Sequence, residues 1–110
     1  MATVGFVGLG AMGSNIALRL LAAGHTVQGY NRTAAKAAAL RQLGLTPEPT
    51  PRQAAHGASV VFTMLSDGDA LAQVLSGADG LLAGLGPDSV YVDLSTVGPV
   101  ASEEIGRAHV

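Results

Sequence analysis

Six residues near the start of the chain, Gly8-Leu9-Gly10-Ala11-Met12-Gly13, set three glycines at the spacing G-x-G-x-x-G. The apolar run Thr3-Val4-Gly5-Phe6-Val7 precedes them and a helix-forming stretch follows. The chemistry such a string supports is pyrophosphate binding. Gly8 lets the chain turn sharply out of a strand, Gly10 lets phosphates approach bare backbone, and Gly13 lets the next helix lie close on the sheet. That helix begins with unpaired N–H groups and its positive dipole end directed at the anion. With 15 glycines in 110 residues, a glycine-rich structural turn is the competing reading. The strand-like run before the loop, the amphipathic run after it and a second strand at the right distance favour a dinucleotide.

That second strand, Thr26-Val27-Gln28-Gly29-Tyr30, ends in Asn31-Arg32-Thr33, and Asn31 follows Gly8 by 23 residues. A dinucleotide fold meets the adenosine ribose at about this point. A site selective for NAD carries Asp or Glu there to accept from the ribose 2′-hydroxyl, whereas here Asn31 is neutral and Arg32 is a planar cation suited to phosphate. Lys36, one helical turn beyond Arg32, adds a second positive charge. The residues therefore favour NADP, with NAD the alternative. The bland reading is two ordinary surface cations around a helix start capped by Thr33.

Two further polar loops leave strands. Ser66-Asp67-Gly68-Asp69 follows Ser59-Val60-Val61-Phe62-Thr63-Met64-Leu65, and Asp67 and Asp69 have the look of a carboxylate pair. Both also sit where a helix N-terminus favours acids, and capping is the reading preferred for them. Asp93-Leu94-Ser95-Thr96-Val97-Gly98-Pro99 follows Val90-Tyr91-Val92-Asp93. By position in the sheet it should face the nicotinamide half of a dinucleotide, or else be a hydroxyl turn with Ser95 or Thr96 capping the next helix. The spacing leaves these two readings level.

The elements that must position these residues follow from periodicity. Met12, Ile16, Leu20 and Ala23 recur at helical spacing and are expected to pack on the sheet, with Gly24 ending that helix. His25 falls in the turn after it and is expected to face solvent. Ala34 to Leu43 reads as a helix ended by Gly44, and Leu45-Thr46 as a short strand. Thr50-Pro51-Arg52-Gln53 signals a capped third helix ending near Gly57. The run from Ser59 to Leu65 is continuously apolar enough to expect cover on both faces of a parallel sheet. Leu71, Val74 and Leu75 mark another helix, Leu81-Leu82-Ala83 a short helical piece, and Val90 to Asp93 a fifth strand. Strands alternating with helices make this an α/β chain of the doubly wound, parallel Rossmann type.

Composition narrows the classes. Hydrophobic residues are 48%, charged residues 13% and aromatics 4%, which suits a small-residue aliphatic α/β core of about one domain. A formal charge of −2 gives no basic footprint for nucleic acid. The chain has no cysteine, so disulfides and thiolate metal sites are excluded, and no metal is expected. No apolar run approaches a membrane span and no signal-peptide pattern opens the chain, so the expectation is a cytoplasmic protein without a membrane partner.

Taken together, Gly8-Leu9-Gly10-Ala11-Met12-Gly13, Asn31-Arg32-Thr33, Thr63-Met64-Leu65, and Asp93-Leu94-Ser95-Thr96 with Pro99 resemble the β-hydroxyacid dehydrogenases. That family includes 3-hydroxyisobutyrate dehydrogenase and tartronate semialdehyde reductase. The resemblance reaches to about Glu104 and implies hydride transfer between a nicotinamide cofactor and a short 3-hydroxy acid or semialdehyde. It implies the Gly8–Gly13 loop, Leu9, Ala11 and Met12 included, on the pyrophosphate. It also implies Asn31, Arg32 and Thr33 on the adenosine ribose, Met64, Leu65 and Ser66 along the cofactor, Thr96 beside the nicotinamide and Ser95 near the substrate. The family continues into a strand, a helix with the catalytic lysine and a helical domain that forms the dimer. Lys36 is the only lysine here and lies at the adenosine end. The chain is therefore expected to be the incomplete cofactor half, residues 1–104, of a homo-oligomeric oxidoreductase, carrying no catalytic residue of its own. A non-catalytic NADP-binding module and the start of an imine reductase, which shares the glycine loop and Asn-Arg-Thr, are the rival readings. Residues 105–110 match the translation of the common sequencing adapter ATC-GGA-AGA-GCA-CAC-GTC and are expected to be a non-native tail.

Overall fold

The computed structural model describes residues 1–94. Five parallel strands form one sheet in the order β3-β2-β1-β4-β5. They are β1 (Thr3–Val7), β2 (Thr26–Tyr30), β3 (Thr46–Pro47), β4 (Val60–Thr63) and β5 (Val90–Asp93). Helices make the crossovers: α1 (Ala11–Ala22), α2 (Ala34–Leu40), α3 (Pro51–Ala55), α4 (Gly68–Leu75) and α5 (Leu81–Gly84). Parallel neighbours require such crossovers, and this strand order is the Rossmann-type arrangement expected from the alternating pattern. β1 is central, pairing from Thr3↔Thr26 to Val7↔Tyr30 on one side and from Val4↔Val60 to Val7↔Thr63 on the other.

Each face of the sheet carries its own core. Phe6, Leu9, Ala17, Val27, Ala37 and Leu45 are buried beneath α1 and α2. Val7, Val61, Leu71, Leu75, Leu81 and Tyr91 pack with Ala54 and Ala55 beneath α3, α4 and α5. Cover is uneven along β4: Val61 and Thr63 are buried, while Val60 and Phe62 on the α1 face are half-buried. The two-sided burial expected of this run is thus corrected. Among the described residues no helix beyond α1 covers that end of the sheet, and Phe62 instead leans on Phe6 at a ring separation of 5.8 Å.

The stripe expected on α1 is also displaced. Gly13 and Ala17 are the buried residues, Ile16 and Leu20 flank them half-buried, and Met12 (60% exposed) and Ala23 face outward. A Cβ on Gly13 would collide with the carbonyl oxygen of Gly8. The helix start thus lies too close to the strand for a large side chain, and small residues at i and i+4 form the contact. β3 begins one residue later than expected, because Leu45 turns inward. Its Cδ1 lies 2.8 Å from where a Cβ on Gly29 would stand. His25 is not simply solvent-facing: its Nδ1 accepts from the Ala2 N–H at 3.1 Å.

Local signals hold the short helices. The Gln53 N–H donates to Thr50 Oγ1 at 3.1 Å, the cap expected before Pro51. From β2, Gln28 Nε2 donates to the carbonyls of Ala54 and His56, both at 2.9 Å, satisfying the other end of α3. Thr33 occupies the N-cap position of α2 without a side-chain bond, so the capping hydroxyl of the bland reading is not engaged.

Candidate functional site

Strand order reverses between β1 and β4, the place where open parallel sheets leave a crevice at their carboxyl ends. The loops after β1, β2 and β4 meet there. Gly8 has φ of +104°, a left-handed conformation that strains any other residue, and a Cβ on it would strike the carbonyl of Met64 at the end of β4. The glycine serves a close approach as well as a turn. At Gly10 nothing lies within 4 Å of a Cβ position, so its backbone borders open space at the start of α1.

Side chains brace this loop. Asn31 Oδ1 accepts the Leu9 N–H at 2.8 Å and Asn31 Nδ2 donates to the Thr33 carbonyl at 3.1 Å. Ser14 Oγ donates to the Leu9 carbonyl at 2.9 Å, and the Gly8 N–H donates to the Tyr30 carbonyl at 2.9 Å. Leu9 itself is buried in the core with both backbone polar groups engaged. The N–H groups of the first turn of α1, at Ala11 and Met12, have no intrahelical acceptor. The neutral amide at position 31 is thus a strut between β2 and the glycine loop, using its acceptor and its donor at once.

Gly8, Asn31, Arg32, Leu65 and Ser66 come together around a cleft of about 480 Å3, walled on the far side by Ala70, Gln73 and Val74 of α4. Arg32 is exposed and also lines an adjoining hollow of about 430 Å3 with Asp67 and Asp69. Lys36 and Thr33 are exposed and are not among the cleft walls, and Met64 turns to the opposite face of the sheet to pack beside the Phe6 core. Asp67 caps α4, accepting from the Ala70 N–H at 2.7 Å, and Asp69 lies in its first turn. Among the described residues no group of three His, Cys, Asp or Glu side chains is placed to hold a metal ion. Ser95 and Thr96 lie outside the described residues.

A polar trio at the ends of β4 and β5 emerges only from the structure. Thr63, fully buried, has its Oγ1 2.6 Å from Tyr91 Oη and donates to Asp93 Oδ1 at 3.0 Å. Burial, reinforced by the charge of Asp93 against the Thr63 hydrogen bond, pushes the Tyr91 phenol up to about 12. The one signal of it in the sequence is the lone hydroxyl in an otherwise apolar strand run.

Comparison with known proteins fits this architecture. The family described as the NAD binding domain of 6-phosphogluconate dehydrogenase matches residues 3–109. The 3-sulfolactaldehyde reductase of Escherichia coli is 38% identical over 105 residues, covering 96% of this chain and 35% of that enzyme. The solved Mycobacterium tuberculosis 3-hydroxyisobutyrate dehydrogenase superposes with a TM-score of 0.89 at 30% identity, over 99% of this chain and 37% of that one. An imine reductase from Aspergillus terreus, solved in complex with NADPH4 and dibenz[c,e]azepine, superposes with a TM-score of 0.79 at 28% identity, over 98% and 37%. The chain thus spans little more than a third of the length of these relatives.

Proposed function

The chain belongs to the family of the NAD binding domain of 6-phosphogluconate dehydrogenase, an oxidoreductase domain that takes a nicotinamide dinucleotide, and from that premise we propose that it prefers NADP(H). The braced glycine loop, open at Gly10 beside the start of a 12-residue helix, supports dinucleotide binding, and the observation that carries the preference is exposed Arg32 on the cleft wall beside neutral Asn31. A dinucleotide held there by its pyrophosphate would supply or accept hydride at its nicotinamide ring. The residues of this chain bind and orient. The first-turn N–H groups at Ala11 and Met12, with the helix dipole, offset the pyrophosphate charge. Arg32 receives the 2′-phosphate, with Lys36 adding longer-range attraction. Leu65 and Ser66 flank the adenosine half across the cleft, and Thr96 and Ser95 attend the nicotinamide and the substrate.

Two features bear on the choice between NADP and NAD. Position 31 carries no charge to repel a 2′-phosphate, and its amide is neutral where a carboxylate would hold the two hydroxyls of an unphosphorylated ribose. Asp67 and Asp69 share a hollow with Arg32 and moderate the preference. Calorimetric titration of the chain with NADPH and NADH tests the proposal. Tighter NADPH binding is expected, and Arg32→Leu should cost NADPH about tenfold or more, the worth of a hydrogen bond to a charged group. Equal affinities in the unmutated chain overturn it.

The reaction proposed for the longer protein is reversible hydride transfer to a short semialdehyde or from a 3-hydroxy acid, in a cytoplasmic homo-oligomer whose catalytic lysine lies outside residues 1–104. The similarity to an imine reductase supports a second reading, in which the carbon–nitrogen double bond is the acceptor. A panel of semialdehydes and cyclic imines offered to the longer protein separates them.

A further inference from the structure

The run Val60-Val61-Phe62-Thr63-Met64-Leu65 is apolar except at one position, and that position is fully buried. Valine has the shape of threonine and would suit a buried strand without bringing in a hydroxyl that must find partners. Thr63 finds two. Parallel register pairs Thr63 with Asp93 and Val61 with Tyr91, so alternate residues of β4 and β5 point to the same side of the sheet. The single Thr63 proton goes to Asp93 Oδ1. In the 2.6 Å contact with Tyr91 Oη, Thr63 therefore accepts and Tyr91 donates. Donation runs in one direction, from Tyr91 through Thr63 to the carboxylate that ends β5. With its phenol pushed up to about 12, Tyr91 keeps its proton throughout the neutral range.

We propose that Thr63 is a positioning residue for the nicotinamide half of the dinucleotide. Without touching cofactor, its hydroxyl fixes the Asp93 side chain at the carboxyl end of β5, on the side of the β1–β4 crevice opposite the β2 end that carries Asn31. A buried polar group kept at the binding edge of a sheet, where an apolar one fits, is a local rule broken at a site of function. The inference rests on the dinucleotide reading and assigns the two halves of the cofactor to different parts of the chain. Asn31 and the glycine loop serve the adenosine and pyrophosphate half, and the Tyr91–Thr63–Asp93 series serves the other.

The test uses the full chain with two probes, NADPH and adenosine 2′,5′-bisphosphate, which carries the adenosine half alone. Thr63→Val removes the hydroxyl at nearly constant volume, Thr63→Ser restores it, and thermal unfolding monitors the fold of each. The expected result for Thr63→Val is a loss of about tenfold in NADPH affinity with bisphosphate affinity unchanged, and recovery in Thr63→Ser. Equal loss of both probes, or loss of neither, overturns the proposal, because a purely structural role does not distinguish the halves. Should Thr63→Val fail to fold, Thr63→Ala, which also removes the hydroxyl, carries the same comparison: selective loss of NADPH affinity supports the proposal, and equal loss or none overturns it. An unmutated chain that binds neither probe overturns the dinucleotide reading itself.

Discussion

At the scale of single residues, Gly8 and Gly10 look alike in the motif and differ in what they do. Gly8 combines φ of +104° with backbone packed where its side chain would be. Gly10 has φ of −68° and free space around it. Gly8→Ala is therefore expected to destabilise the fold by at least about 1–3 kcal/mol from backbone strain alone, read as a shift in the urea midpoint. Gly10→Ala should leave that midpoint in place and weaken NADPH binding, since the methyl group occupies space offered to the ligand. Tyr91 makes a second prediction. Its phenol titrates near 10 when unfolded and at about 12 when folded, so the folded state holds the proton more tightly. Its contribution to stability is present in full below pH 10 and is lost as pH rises through 12. The fall in stability over that window should be steeper in the unmutated chain than in Tyr91→Phe, measured by denaturant unfolding at stepped pH. A parallel fall in both would assign the dependence to other groups.

At the scale of elements, α3 shows how far local signals reach. Five residues are too few to hold a helix unaided, and Thr50 and Pro51 supply only its beginning. Its other end depends on Gln28, which lies on β2 and is 26 residues away in sequence from Ala54. Gln28→Leu should leave two carbonyls unsatisfied and cost about 1–3 kcal/mol by chemical denaturation, whereas a wild-type midpoint would mean that water replaces the amide. The contrast explains what is legible in the chain. Capping by Thr50 and Asp67, the glycine stops and the five strands are written in neighbouring residues. The facing of α1 is not, because it is set by the absence of a side chain at Gly13 against Gly8, a contact between elements. The strut role of Asn31 is hidden for the same reason. Its type and position point correctly to the second strand's end, but its hydrogen bonds go to Leu9 and Thr33 rather than outward. Thr63 stands inside a motif, and only the register of β4 against β5 reveals its partners.

At the scale of the whole molecule, the described residues around the crevice offer a backbone loop and braced side chains suited to binding. Three acids at the carboxyl end of the sheet are placed by the fold: Asp67 caps α4, Asp69 sits in its first turn, and Asp93 accepts from Thr63, while Asp79 lines the cleft wall. Lys36, the only lysine, lies on α2, on the β2 side of β1 and away from the β4–β5 edge. Relatives such as the 3-hydroxyisobutyrate dehydrogenase extend well beyond the matched region, which is 37% of that chain. General acid–base help contributes about 10²–10⁴-fold to rate, and holding two reactants in register contributes more. Residues 1–110 by themselves are expected to bind NADPH and leave semialdehydes unreduced. Incubating purified chain with NADPH and a panel of small semialdehydes, and following the nicotinamide absorbance, checks this. Turnover at an ordinary enzymatic rate of about 1–10³ per second would show that residues within the chain, with Ser95 and Thr96 the first to mutate, supply the proton that the carbonyl oxygen must receive.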